Sequence, residues 1–188
     1  MSNGNGKLSV IDRLKKAADA VEPGTTMWVL VAQVDPDAIG AAIGMLEILQ
    51  ELLKDTGTPV KIAYCGEISH RQNHTIMTLH DLNSLMSQIN HVEINPSDRV
   101  FLVDSFSMND ARIPEKYRNI RPRGVVDHHS DSSLEEQDGE FYLVDTSVLS
   151  ASTLVVELAN EVGLQFSEKA SILLSLGIHN DSHEMVDA

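Results

Sequence analysis

The chain has 188 residues and a mass of 20.6 kDa, the size of one ordinary domain. Its 42% hydrophobic and 22% charged residues exclude a collagen-like or wholly disordered chain. Fourteen Lys and Arg against 28 Asp and Glu give a net charge of −14, which argues against a broad phosphate-binding surface for long nucleic acid. A small phosphorylated ligand can still enter an acidic pocket whose charge a metal ion has inverted.

Targeting and redox signals are few. The first residues, 1–7, are polar, and no apolar run approaches the length of about 18 residues that a membrane helix needs. The one cysteine, Cys65, can form no internal disulfide and is expected to be a buried apolar side chain. These features favour a soluble cytoplasmic protein with no membrane partner.

Apolar periodicity predicts helices that alternate with strands. After a tail over 1–8 that we expect to be disordered, the predicted elements are a helix over 9–21, a strand over 27–32, a helix over 38–53, a strand over 60–64, a helix over 69–85, strands over 99–103, 124–126 and 140–144, and helices over 150–162 and 167–176. This alternation predicts an α/β fold with a mostly parallel sheet flanked by helices.

Acidic and histidine side chains collect directly after three of the predicted strands. They are Asp35 and Asp37 after the first strand, Asp104 after the strand over 99–103, and Asp127, His128 and His129 after the strand over 124–126. Because the carboxyl ends of parallel strands meet at one edge of a sheet, these side chains are expected to converge there. Converging carboxylates are costly unless cations neutralise them, and carboxylate with imidazole suits Mn²⁺ or another divalent ion.

Each motif alone also has a simpler explanation. Asp35 could cap the following helix, Asp104 could lie in a turn or cap, and His128 and His129 could be solvated loop residues. Three acidic strand ends are harder to explain as independent caps. The combination therefore favours a metal site.

Four segments resemble the motifs of the DHH phosphoesterase superfamily. Residues 125–129 (Val-Val-Asp-His-His) resemble its signature, and residues 34–40 (Val-Asp-Pro-Asp-Ala-Ile-Gly) resemble its first motif. Residues 101–104 resemble the second, and residues 176–182 resemble the fourth, with Ser in place of Thr at the end. The superfamily includes RecJ-type exonucleases, nanoRNA-degrading enzymes, phosphoadenosine-phosphate phosphatases, cyclic dinucleotide phosphodiesterases and family II pyrophosphatases.

The resemblance implies a site for two metal ions, expected to be Mn²⁺, with Mg²⁺ as the alternative. Asp104 would bridge the two ions and Asp35 would hold one of them. The other ion would be held by Asp37, His128 and Asp181. Such a site polarises phosphoryl oxygens and activates a water molecule for attack.

The resemblance also implies contacts with the substrate. His129 would face its phosphate, so that Asp104, His128 and His129 are the expected catalytic residues.

Ser150 and Ser152 open a predicted helix, whose N-terminal amides could bind phosphate. Simple helix capping explains these serines equally well.

Two features depart from the family pattern. Many members have a histidine four residues before the first aspartate of the first motif, whereas Val31 stands there in this chain, as a non-histidine does in RecJ-type members. His179 or His183, on either side of Asp181, could replace that histidine. Members also usually carry a C-terminal substrate-binding domain. We therefore expect 9–188 to be the catalytic domain, with that second domain absent.

Two hypotheses of function remain open. The leading one is metal-dependent hydrolysis of phosphodiester or phosphomonoester bonds in a small nucleotide or short oligoribonucleotide, because family pyrophosphatases usually have the histidine that Val31 replaces. The alternative is a degenerate, non-catalytic domain that binds a nucleotide or metal in regulation. A plain nucleotide-binding domain would need a glycine-rich phosphate loop, which the sequence lacks. The sequence is compatible with a homodimer. Long nucleic acid is not expected to bind this domain.

Overall fold

The computed structural model describes residues 8–19, 24–129 and 135–182. These residues form the helices and strands α1 (Val10–Asp19), β1 (Met27–Val31), α2 (Pro36–Leu53), β2 (Val60–Tyr64), α3 (Arg71–Leu79), β3 (Met86–Gln88), β4 (Arg99–Val103), β5 (Gly124–Asp127), β6 (Phe141–Val144), α4 (Ala151–Val162) and α5 (Glu168–Asp181). The predicted tail, apart from Leu8, and the predicted end of the first helix at Val21 lie outside the described residues. None of the described helices is long and apolar enough to cross a membrane.

The six strands form one sheet in the order β3-β2-β1-β4-β5-β6, and every neighbouring pair is parallel. The predicted α/β fold with a mostly parallel sheet is therefore confirmed. The strand order reverses between β1 and β4, which pair directly. In open parallel sheets, ligands bind outside the carboxyl ends of the strands at such a reversal. The two loops that follow β1 and β4 are therefore the expected position of a site.

The sheet is buried on both faces, as its continuous apolar strands predict. All five residues of β1 are buried. Met27, Val29 and Val31 belong to one core together with buried residues of all five helices, whereas Trp28 and Leu30 belong to a second core that loop residues cover. Cys65 is buried in this second core, as expected from the sequence.

The segment after β2 differs from the predicted helix over 69–85. The helix α3 ends at Leu79, and residues 86–88 form the edge strand β3. Asp81 adopts a left-handed conformation with φ of 51°, which no α-helix can continue through. The buried side chain of Leu82 belongs to a short 3-10 turn.

Glycines allow α2 and α5 to pack closely. A Cβ atom on Gly40 would lie 2.5 Å from the carbonyl oxygen of Leu173, and a Cβ atom on Gly177 would lie 2.9 Å from the Cα atom of Asp37. Both separations are shorter than a side chain can occupy. This contact brings the end of α5, which carries Asp181, close to the start of α2.

We expect Gly40→Ala to lower the free energy of unfolding by about 1–3 kcal/mol, because the added methyl group meets the backbone of α5. This loss should occur although alanine is favoured over glycine inside a helix by about 1 kcal/mol. Urea unfolding measures the change. Gln50→Ala, at an exposed position of the same helix, is the control and should change stability little. A Gly40→Ala variant as stable as the control would contradict this account of the packing.

Candidate metal centre

The loop after β1 carries two aspartates in different surroundings. Asp35 is the N-cap of α2, and its side chain accepts a hydrogen bond from the Ala38 N–H at 2.9 Å. Asp37 is fully buried, and its two oxygens accept hydrogen bonds from the backbone N–H groups of Ala151 at 2.7 Å and Ser152 at 2.9 Å. The N-terminus of α4 therefore stabilises the negative charge of this buried carboxylate.

The amides at the start of α4 consequently serve Asp37 and not an external phosphate. Ser150 is the N-cap of α4, and its Oγ accepts a hydrogen bond from the Thr153 N–H at 3.1 Å. The Ser152 hydroxyl donates to the carbonyl oxygen of Asp37 at 3.2 Å. Both serines are fully buried. Ser150 therefore caps α4, which is one of the two explanations considered from the sequence, and Ser152 contacts Asp37.

The motif at the end of β5 is organised by Asp127, which is fully buried. Its Oδ1 accepts a hydrogen bond from the backbone N–H of His128 at 2.9 Å and lies 2.7 Å from Nδ1 of His129. The two histidine rings lie with their centroids 4.2 Å apart. Asp127 was not among the predicted site residues, although its place in the motif was a signal for it. Its role in the structure is to orient both histidines.

His128 lies at the centre of the site. Its Nε2 atom is 3.5 Å from Oδ1 of Asp104, 3.6 Å from Oδ2 of Asp181 and 3.8 Å from Oδ2 of Asp37. Nδ1 of His129 is 3.9 Å from the same Asp104 oxygen. Two overlapping groups of candidate ligands result, Asp104 with His128 and His129, and Asp37 with His128 and Asp181, each with ligand atoms within 4.8 Å of one another.

Unpartnered polar atoms test whether these groups suit a metal ion. Among the described residues, the buried atoms Oδ1 of Asp104 and Nε2 of His128 have no hydrogen-bond partner, and the same holds for Oδ2 of Asp127. An unsatisfied buried polar group costs about 1–3 kcal/mol. Coordination of a divalent cation would satisfy the first two atoms. Carboxylate oxygen with imidazole nitrogen suits Mn²⁺ and related ions, so the residues present fit a metal.

Burial of like charges shifts the proton affinity of the site. Burial raises the pKa of Asp104, and the carboxylates of Asp37 and Asp35 raise it further, against the opposing influence of the nearby His128 ring. Burial is also the main cause of the raised pKa values of Asp35 and Asp37. The pKa of His128 is raised mainly by its interaction with Asp104. In the absence of metal, these groups therefore hold protons more tightly than in an unfolded chain.

The remaining residues named from the sequence lie at the margin. Asp35 is in neither group of candidate ligands, although Asp181 is close enough for its charge to raise the pKa of Asp35. Val31, where many family members have a histidine, is a fully buried strand residue. His179 is exposed and belongs to neither group, and His183 lies outside the described residues. Within the described part of the chain, no histidine takes the place of the one that Val31 replaces.

Two contacts that the sequence analysis missed hold the loop between β1 and α2. Asn73 is buried on α3, and its Nδ2 donates to the carbonyl oxygen of Val34 at 2.6 Å. Gln33 Nε2 donates to Oδ2 of Asp35 at 3.3 Å, and Arg112 in turn donates to Oε1 of Gln33. Asn73 and Arg112 are far from this loop in sequence, so no local pattern indicated their contacts with it.

A family model described as the DHH family, N-terminal domain, matches residues 28–178. The chain belongs to the DHH family. This match spans well over half of the chain and confirms the resemblance drawn from the four motifs. The matched range includes every residue of the candidate metal centre except Asp181.

Three relatives are similar to this DHH domain. A probable bifunctional oligoribonuclease and PAP phosphatase NrnA of Streptococcus mutans is 27% identical over 149 residues, which are 79% of this chain and 42% of that protein. An uncharacterized protein of Methanocaldococcus jannaschii is 24% identical over 155 residues, which are 80% of this chain and 43% of that protein. An A-adding tRNA nucleotidyltransferase of Aquifex aeolicus is 26% identical over 156 residues, 82% of this chain and 16% of that protein. The chain spans less than half the length of each relative.

Among solved structures, CDC45 from Entamoeba histolytica superposes with a TM-score of 0.49 at 14% sequence identity. The superposition covers 93% of this chain and 33% of that one.

Metal binding should depend on pH in a defined direction. The raised pKa values of Asp35, Asp37, Asp104 and His128 stabilise the folded chain fully below the unfolded pKa values, and this contribution is lost as pH rises through the folded values. A bound divalent cation would take over the neutralising role of the protons, and Mn²⁺ is the ion used for the test. We therefore expect the rise in Tm on adding Mn²⁺ to be larger at pH 8 than at pH 5.5. These two pH values lie on either side of the raised pKa of Asp104, which is about 7.

Differential scanning calorimetry at the two pH values, with and without Mn²⁺, measures this effect. Asp55→Asn removes an exposed carboxylate of a loop and should leave the pH dependence unchanged. A rise in Tm that is equal at both pH values, or larger at the lower one, would contradict the proposed competition between protons and metal.

Asn73→Ala should weaken Mn²⁺ binding, because the loop that carries Asp35 and Asp37 loses its hydrogen bond at Val34. Loss of a residue that positions metal ligands typically costs about 10–100-fold in affinity. Calorimetric titration with Mn²⁺ measures the affinity. His74→Ala, at the next and exposed position, is the matched control and should keep the affinity of the unmodified chain. Equal affinity in both variants would show that Asn73 does not position the loop.

Proposed function

We propose that this DHH domain supplies the metal-binding catalytic centre of a phosphoesterase that hydrolyses phosphodiester or phosphomonoester bonds in small nucleotides or short oligoribonucleotides. One observation carries the proposal: the unpartnered buried atoms of Asp104 and His128 lie together at the carboxyl edge of the sheet, where three strand ends and the end of α5 converge. Family membership supports a phosphoesterase role. The similarity to a probable bifunctional oligoribonuclease and PAP phosphatase supports the substrate class.

The family resemblance, together with the ligand group of Asp37, His128 and Asp181, suggests how this chain would hold two ions, for which we propose Mn²⁺. Asp37, His128 and Asp181 would hold one ion, and Asp104 with Asp35 would hold the other. Asp104 would also reach the first ion, because its Oδ1 lies 3.5 Å from Nε2 of His128. When bound, the ions would supply Lewis-acid polarisation of a phosphoryl oxygen and lower the pKa of a water molecule to near neutrality.

The protein's own side chains supply orientation and charge. The two backbone amides on Asp37 fix its carboxylate and leave further lone pairs on both oxygens for a cation. The side chain of His129 is 53% exposed, and its Nδ1 is held by Asp127. With Nδ1 held by Asp127, the other ring nitrogen is left to face a substrate phosphate, to which an imidazolium ring would donate a hydrogen bond. Such a donor stabilises negative charge that develops on the phosphoryl group.

A small substrate suits the electrostatics of the chain. A net charge of −14 repels a long polyanion, whereas one or two phosphates can be neutralised locally by metal ions. The family pyrophosphatases usually carry the histidine that Val31 replaces in this chain. Both features favour a nucleotide or short oligoribonucleotide over pyrophosphate or long nucleic acid.

A second candidate function is binding of a metal ion or nucleotide without catalysis. One observation favours it: Val31 is fully buried where many family members have a metal-binding histidine. Such a chain would bind one ion at Asp37, His128 and Asp181 and lack the second. The number of bound ions therefore distinguishes the two functions.

We expect the chain to bind two Mn²⁺ ions and Asp104→Ala to lose at least one of them, as measured by calorimetric titration. The same variant should lose hydrolysis of short oligoribonucleotides and of phosphoadenosine phosphate. Its metal-free stability should be unchanged or slightly increased, because the substitution removes one of several carboxylates that repel one another. Asp55→Ala, at an exposed loop position, is the control and should retain both properties.

The outcomes separate the two candidates. Unchanged turnover in Asp104→Ala would rule out the two-metal mechanism. One bound ion in the unmodified chain, together with no hydrolysis, would favour the non-catalytic domain. Two bound ions without hydrolysis would leave the metal centre supported and contradict the proposed substrates.

A further inference from the structure

A cavity opens at the amino edge of the sheet, at the opposite ends of the strands that lead to the metal centre. Its volume is about 570 Å³. The strands β4, β5 and β6 each contribute residues at or just before their first position, and these are Asp98, Arg99, Arg123 and Glu140. The segment between β4 and β5 lines the other side, from Lys116 to Pro122. No residue of the candidate metal centre lines this cavity.

One lining residue, Arg123, is unusual in so acidic a chain. Among 28 acidic and 14 basic residues, five of the basic residues form ion pairs: Arg13, Lys16, Lys54, Arg112 and Arg121. Arg123 is half-buried, yet its guanidinium makes no ion pair with the described residues, and its buried Nε has no hydrogen-bond partner among them. A buried donor without an acceptor is costly, and the residue that carries it lines an open cavity.

The acidic residues nearest in the cavity wall are already engaged. Asp98 accepts hydrogen bonds from the backbone N–H groups of Thr26 and Asn95 and from the Trp28 ring N–H. Glu140 forms an ion pair with Arg121. Neither carboxylate is therefore free to neutralise a further cation.

The remaining wall combines a second cation with apolar surface. Lys116 is exposed, and its Nζ lies 4.5 Å from the centre of the Tyr117 ring. Ile94 and Ile120 supply apolar surface, and Glu93 is the acidic residue that faces solvent. Arg123 and Lys116 therefore lie beside an apolar wall, an arrangement that matches a ligand with an anionic group on a flat apolar body.

We propose that this cavity binds a small anion with an aromatic body, either a phosphate monoester or a carboxylate, through Arg123 and Lys116. The planar guanidinium donates parallel hydrogen bonds to either anion, and the apolar wall covers the aromatic body. The site is separate from the metal centre and does not depend on the function proposed for that centre.

The test titrates the full chain, kept free of metal by a chelator, with phenyl phosphate and with benzoate, and follows backbone amide NMR shifts. We expect saturable shifts at Arg123 and Ile120 for at least one probe. Arg123→Met should weaken binding about tenfold or more, since a charge-assisted hydrogen bond is lost. Lys15→Met removes an exposed cation of α1 and should leave binding unchanged. Asp104→Ala should also leave it unchanged, which separates this site from the metal centre.

The probe that binds more tightly, phenyl phosphate or benzoate, identifies the anionic group that the cavity prefers. Arg123→Met is compared only after its urea midpoint matches that of the unmodified chain. Lys116→Met, at an exposed position, tests the same cavity without that requirement and should also weaken binding. Failure of both probes to bind at tens of millimolar, or equal binding in Lys116→Met and the unmodified chain, would overturn the proposal.

Discussion

The buried carboxylate of Asp37 is the interaction on which the rest of the structure depends. Removing a carboxylate from water is costly, and here two backbone amides at the start of α4 and the dipole of that helix offset the cost. Gly177 of α5 lets its own helix approach, since a Cβ atom there would lie 3.0 Å from Oδ1 of Asp37. One side chain thus fixes the relative positions of α2, α4 and α5. The metal centre and the helical layer form a single unit of packing.

The sequence predicted those features whose cause is local or topological. Parallel strands must deliver their ends to one edge, so the acidic positions after β1, β4 and β5 were sufficient to predict where Asp104 and His128 would lie. The role of Ser152 was not predictable, because it depends on Asp37, more than a hundred residues away. The edge strand β3 has only three residues. So short a segment shows too little alternation of apolar and polar residues to be distinguished from the end of a helix. In the sequence, nothing distinguishes Asn73 from other polar residues of a helix. Its contact with the loop at Val34 exists only because the fold brings the two segments together.

The candidate metal centre combines backbone strain at Asp104 with several neighbouring carboxylates. This combination is typical of a binding site and not of a hydrophobic core. Asp104 has a left-handed backbone conformation with φ of 51°, which is uncommon for a residue other than glycine. Its Oδ1 is buried without a hydrogen-bond partner in the described structure, and several carboxylates surround it. None of these features helps the metal-free chain to fold. Proteins retain such unfavourable local arrangements where function requires them, and the surrounding packing then holds them in place.

The candidate metal centre and the cavity at Arg123 lie at opposite edges of the sheet, and the distance between them determines how far they can influence each other. Arg123 precedes β5 and His128 follows it, so at about 3.3 Å per residue they are separated by about 16 Å along the strand. Screening in physiological salt acts over about 8 Å, so direct electrostatic attraction between the two edges is weak. Any coupling would have to pass through β5 itself. This strand is fully buried and paired on both sides, which makes it a rigid connection with no alternative arrangement in the described structure. An ion at Asp104 and an anion at Arg123 should therefore bind independently.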